Sequence, residues 1–275
     1  MRFQSRTWFL VVAFPLLAGC TCGGTWQDPT DVDLGATALV VVVNPPLNDL
    51  NSAAVAAPGT ERGGLTVSLD RALTTGDNGI AVFGNADAGT YSLAVGTGSV
   101  PVTLVDRELR EMAVSYSGGT AAVMADVQYG FAGMEVIELD AGMSIADVNA
   151  ALNGSNRIVL VRGGSYTGNV VFNGSNVTLF GEGATGGRVT LDGNVEVNGS
   201  GNRVRGAIVT GDLLSDGSSF GLTFSRIHGT ATITGSDLVL MENVFCGAAN
   251  LSGGNLAVLG NRGLSPIALP PDSGC

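Results

Sequence analysis

The chain has 275 residues, with 42 glycines, 6% aromatic residues and 13% charged residues. This length suits two ordinary domains, and the charged fraction is about half the usual quarter. All 13 basic residues are arginine and the net charge is −11, which argues against nucleic acid or an anionic membrane surface as a partner, because phosphate binding needs clustered cations.

The first stretch is a secretion signal. Arg2 and Arg6 flank a short basic start, and residues 7–17 form an apolar run too short to span a bilayer. Leu17-Ala18-Gly19-Cys20 comes next. This ending resembles the lipobox of bacterial lipoproteins, which implies a signal peptide over residues 1–19 and acylation of Cys20, palmitate included. The implied membrane partner is reached through the lipid anchor, since several acyl chains hold where one does not. Thr21, in place of the Asp that resembles an inner-membrane retention signal, points to the outer membrane of the cell envelope. Residues 20–35 read as a linker of Gly, Thr, Pro and Asp without apolar period.

Residues 36–130 read as a strand-rich domain. A strand over 36–43 is followed by one at 65–69, a turn through Thr74-Thr75-Gly76-Asp77-Asn78-Gly79, a strand at 80–83, and Ala88-Gly89-Thr90-Tyr91 opening an alternating strand to Val95. The pattern resembles the carboxypeptidase-regulatory-like, or prealbumin-like, β-sandwich, and the resemblance implies an antiparallel spacer or binding module. Asp77-Asn78-Gly79 lacks the spaced acids of a calcium cage and reads as a hairpin turn.

Residues 131–141 read as a short bridge. Ser144-Ile145-Ala146-Asp147 then has the form of a capping box variant before Val148-Asn149-Ala150-Ala151-Leu152, which reads as a short helix. This helix is expected to cover the first edge of the strands C-terminal to it, where an open sheet would invite association.

The rest of the chain repeats. Residues 194–211, 212–229 and 230–247 align as three lines of 18 residues, with 248–263 as a shorter fourth. Each line has glycine in sixth place (Gly199, Gly217, Gly235, Gly253) and at its end (Gly211, Gly229, Gly247, Gly263). Between them lie short apolar runs of period two, such as Phe220, Leu222, Phe224. A fixed period of this kind marks a repeat architecture, and short strands that lack a second face must stack on their neighbours. The expected fold is therefore a parallel β-solenoid over residues 131–275 with about six coils. Val204, Leu222, Leu240 and Val258 should stack inside, as should Val209, Ile227 and Phe245. Asn243 and Asn261 should form a ladder at a turn. The markers Asn153-Gly154-Ser155, Asn173-Gly174-Ser175 and Asn198-Gly199-Ser200 extend the repeat upstream, with residues 181–187 as a turn insertion. Residues 157–166 and 176–183 resemble the opening of a right-handed parallel β-helix of the pectin-lyase-like type. That resemblance implies a fold shared by polysaccharide lyases, hydrolases and proteins without catalysis, so it leaves function open.

The outward positions of the solenoid supply the catalytic candidates. Alternation turns Thr210, Arg226, His228 and Cys246 outward, and Arg203 and Arg205 should do the same. Lyases of this fold use outward acids for calcium and an arginine or lysine as base. Here Arg203, Arg226, His228 and Glu242 are the candidates, yet no two acids share a place in adjacent lines, and no metal or cofactor motif is present. Asp212 and Asp216 sit at turns. A glycan-binding stripe would need exposed rings, and only Tyr166, Phe172 and Phe180 are available. Three functions stay open: a non-catalytic lipoprotein binding a polysaccharide or a protein partner, a carbohydrate-active enzyme, and an envelope structural component. Of four cysteines, Cys20 is reserved for lipid and Cys22 lies in the linker, which leaves Cys246 and Cys275 to pair in an oxidising compartment. Ile267 and Leu269 are then expected to fold across the last coil.

Overall fold

The computed structural model describes residues 29–30, 36–48, 59–130, 132–181, 188–265, 267–269 and 275. The signal segment, Cys20, Cys22 and the 182–187 insertion lie outside the described residues.

The first domain is two four-stranded sheets packed face to face. One holds β1 (Ala38–Val43), β4 (Ile80–Phe83), β7 (Glu108–Ser117) and β8 (Thr120–Gly130) in the order β4-β1-β7-β8. The other holds β2 (Thr66–Ser68), β3 (Ala72–Thr74), β5 (Gly89–Val95) and β6 (Gly98–Leu104) in the order β3-β2-β5-β6. Leu39, Val41, Val67, Leu93, Val102 and Val114 fill the space between them. The domain is not wholly antiparallel, because β1 and β7 pair in parallel. The segment after β1 leaves to build the second sheet, so β7 reaches β1 by a crossover and not by a hairpin. For the same reason the Asp77-Asn78-Gly79 turn is not a hairpin. It is closed by a Gly79 N to Gly76 O bond of 2.8 Å, but it joins β3 of one sheet to β4 of the other.

The second domain is a parallel β-solenoid of about seven turns. It has three faces: a seven-stranded sheet and two five-stranded sheets. The additional turn begins at β9 (Glu135–Leu139), in the stretch expected to be a bridge. β9 pairs in parallel with Arg157–Val161 and lacks the glycine marker because α1 (Ile145–Leu152), in place of two strands, completes its coil. Ser144 caps α1 in a full capping box with Asp147. Val148, Ala151 and Leu152 enter the solenoid core, and Asn149 Oδ1 accepts from Val171 N at 2.8 Å, closing the sheet edge beneath.

The expected core ladders are in place. Val204, Leu222, Leu240 and Val258 are in successive register and buried, as are Val209, Ile227 and Phe245. The line-ending glycines are there for proximity. A Cβ on Gly229 would lie 2.4 Å from Gly211 O, and one on Gly247 2.3 Å from Gly229 O, so only glycine lets consecutive coils approach at that corner.

The seven-stranded sheet packs its outer face on the sandwich. Leu160, Phe180, Met241 and Leu259 meet Val40, Val42, Leu109 and Ala113 in one buried cluster. This explains why β1 is apolar at every position and buried throughout: it faces the sandwich core on one side and the solenoid on the other.

The far end of the solenoid is closed by two segments. Residues 45–48 run on from β1 and lie across the last coil, with Leu47 bridged to Leu259 and Gly260 N bonded to Pro46 O at 2.7 Å. The tail also contributes, but through Leu264, which is buried in the core, while Ile267 and Leu269 are only half-buried. Leu264 enters first because the chain turns back at once, with Ile267 N bonded to Leu264 O at 2.7 Å. Cys246 and Cys275 form a disulfide with a Cα separation of 5.5 Å.

Candidate ligand site at the sandwich–solenoid junction

The junction has a polar centre. Arg205 points outward from the solenoid, as alternation requires, but the sandwich covers it completely. Arg205 and Glu111 form an ion pair with both side chains at 0% exposure. Tyr129 joins them, donating to Glu111 Oε2 at 3.1 Å and lying 3.0 Å from Thr223 Oγ1. Burial, with the Glu111 carboxylate beside it, pushes the Tyr129 hydroxyl well above its ordinary range. The Arg205 guanidinium also lies 4.4 Å from the Phe180 ring centroid and donates to Pro29 O. Thr30, the next residue, is 2% exposed, so the expected linker is already part of the folded body by Pro29.

Beside this centre lies a cavity of about 310 Å³. The sandwich lines it with Asn78 and Ile80, and Pro29 contributes from the N-terminal segment. The solenoid supplies Arg188, Phe224, Arg226, Glu242 and Arg262 among its walls. The repeat positions them. Arg226 pairs with Val244, and Val244 bridges to Arg262, so the two arginines share one outward column, roughly 10 Å apart along the axis at two strand spacings. Phe224 and Glu242 occupy the turn one step earlier, both in the left-handed region at φ 52° and 54°. Gly260 succeeds them in that turn, and a Cβ there would lie 2.2 Å from Glu242 Oε1, so glycine leaves room for the carboxylate.

The electrostatics of the cavity are uneven. Glu242 is paired with Arg62 of the sandwich at 2.5 Å. Burial nevertheless pushes the Glu242 carboxyl above its ordinary value, against the opposing pull of Arg62. Arg226 is held below the ordinary guanidinium value by burial and by the like charge of Arg188. Arg226 Nε is buried without a hydrogen-bond partner. Among the described residues no carboxylate forms an ion pair with Arg188 or Arg226.

Of the four catalytic candidates, Arg226 and Glu242 come together here. Arg203 sits on another face, 5.9 Å from the Tyr129 ring. His228 stands two residues after Arg226 on the same outward side, but it does not line the cavity. Sequence reasoning missed Arg188, Arg262 and the sandwich residues Arg62 and Asn78. Arg262 stands one 36-residue double period after Arg226, and that signal was available. Tyr166, Phe172 and Phe180 are all buried, so none offers an exposed ring. Among the described residues no group of three or more His, Cys, Asp or Glu could hold a metal ion. Compared with protein-family models, curated proteins and solved structures, the chain matches none.

Proposed function

We propose that this chain is a lipid-anchored, non-catalytic lipoprotein of the cell envelope, acylated at Cys20 and held at the outer membrane. A prealbumin-like sandwich and a pectin-lyase-like, right-handed solenoid together present the junction cavity to an acidic group of a glycan or protein partner. The observation that carries the reading is the pair Arg188 and Arg226, which line one cavity without a carboxylate partner among the described residues. Guanidinium forks suit oxyanions, and a partly buried one is worth more than a solvated one. Two measurements test the proposal. An alkyne-palmitate label should enter the wild-type chain and be lost, with membrane association, in Cys20→Ser. A panel of acidic and neutral glycans and peptides should raise the melting temperature only for acidic members, and Arg226→Gln should abolish the shift.

A second reading is favoured by one observation. Glu242, with its raised pKa, and Arg226, with its lowered one, line the same cavity, and groups displaced in this way serve as acid and base in enzymes. Cleavage of a uronate polymer, lost in both Arg226→Ala and Glu242→Gln, would establish the enzyme in place of the binding protein.

A further inference from the structure

Resting on the acidic-ligand reading above, we propose that the junction cavity binds a phosphate monoester, with the headgroup of a lipid in the anchoring membrane as its first source. Three observations lead there. First, Arg188 and Arg226 line the cavity with no carboxylate partner among the described residues, and the one carboxylate on its walls, Glu242, is already paired with Arg62, leaving the two guanidinium charges of Arg188 and Arg226. A phosphate monoester carries close to two negative charges at neutral pH and offers three acceptor oxygens. A carboxylate brings one charge and two oxygens, and would leave one of these guanidinium charges uncompensated.

Second, the arrangement runs against the composition. Acidic residues number 24 and arginines 13, so an arginine in this chain meets a carboxylate easily, as Arg62, Arg110, Arg157, Arg162 and Arg205 do. Keeping Arg188 beside Arg226 without a carboxylate partner among the described residues costs mutual repulsion, which an anion would relieve. The net charge of −11 speaks against adsorption to an anionic surface, and a recessed cationic cavity is the local exception that admits one headgroup at a time.

Third, the cavity lies at the root of the tether. Pro29 is one of its walls, and Cys20 precedes Pro29 by nine residues. A chain that long reaches roughly 30 Å when fully extended. Acylation at Cys20 would thus keep the cavity within roughly that distance of the headgroups, where their effective concentration is high.

Calorimetric titration of the full acylated chain in neutral detergent tests the proposal. The probes are glycerol 3-phosphate, short-chain phosphatidic acid, short-chain phosphatidylcholine and galacturonate. Saturable binding of either phosphate monoester, weakened at least about tenfold (about 1.4 kcal/mol) in both Arg188→Gln and Arg226→Gln, is the expected result. Tighter binding of phosphatidic acid than of glycerol 3-phosphate identifies the membrane as source, and the reverse identifies a soluble ester; both support the site. Should the variants not fold, phosphorus NMR of glycerol 3-phosphate with wild-type protein tests binding directly, as line broadening that narrows when the ester is raised well above the protein concentration and that galacturonate does not reverse. Absence of binding by both monoesters, or binding unaffected by the substitutions, overturns the proposal. Galacturonate binding that depends on Arg226, without phosphate binding, overturns it while leaving the acidic-ligand reading intact. Failure of every acidic probe removes both.

Discussion

Asn48 Oδ1 accepts from both the backbone N and the side-chain Nδ2 of Asn261, each at 3.2 Å, across 213 positions of sequence. Asn261 in turn serves Asn243 N at 3.0 Å, and Asn243 serves Ser225 N at 2.9 Å. The expected asparagine ladder therefore exists, and its top rung comes from the other domain. Replacing Asn48 by Ala leaves the buried backbone N of Asn261 without a partner, while Asn261 Nδ2 keeps Leu240 O at 2.8 Å, a loss of about 1–3 kcal/mol. Urea denaturation should show it. Asn198→Ala, which removes an exposed bond to Glu196, should change stability by no more than about 0.5 kcal/mol.

The buried pair of Arg205 and Glu111 should behave asymmetrically. Glu111→Leu alone strands a guanidinium at 0% exposure and is expected to cost about 3–5 kcal/mol. Arg205→Met with Glu111→Leu should recover most of that loss, since an apolar replacement of both partners is often neutral. A double-mutant cycle in guanidinium chloride measures the coupling. Single substitutions costing less than about 1 kcal/mol would mean that water reaches the pair.

Cys275→Ser opens a link between residues 29 apart in sequence. The chain-entropy argument assigns about 3–4 kcal/mol to a loop of that size. Hydrogen exchange should quicken first in the last coil, around Leu259 and Leu264, and leave the early coils near Arg157–Val161 unchanged, because a solenoid loses its terminal repeat before its interior. Uniform acceleration along the solenoid would show that the disulfide does not act locally.

Glu242 should give the protein a pH dependence of unusual sign. Its folded-state pKa is raised by burial, so the folded chain holds this proton more tightly than the unfolded chain does. Stability therefore falls as pH rises from about 4.3, the unfolded value, through the folded value. Above that window the cost of the buried charge is fully present. Glu242→Gln should flatten this part of the melting-temperature profile, and an unchanged profile would assign the dependence to other carboxylates.

The solenoid was legible because its signal is periodic: register, inward residues and the Asn243–Asn261 ladder all derive from an 18-residue repeat. β9 was not, since its coil is finished by a helix and carries no glycine marker. Arg205 shows a different limit. Alternation places it outward correctly, but nothing local distinguishes an outward arginine in water from one beneath another domain. The unbroken run of β1 did carry that information, as a strand with no polar face. The cavity was legible only in part: Arg226 and Glu242 were candidates and Arg262 follows Arg226 by two periods, but Asn78 and Arg62 come from the sandwich and meet them only when the two domains dock.

Repeat proteins commonly gain and lose whole repeats in evolution, because each unit sees only its neighbours. Here residues 45–48, fixed to β1, are bonded to the last coil, while β9 comes directly after β8 at the first. The sandwich thus acts as a ruler. Removing the 18 residues 212–229 would shorten the stack by roughly 4.8 Å, withdrawing the terminal coil from Asn48 even though every internal rung could re-form. Coil number in this protein is a property of the domain beside the solenoid, and duplication or deletion of a coil would require a matching change there.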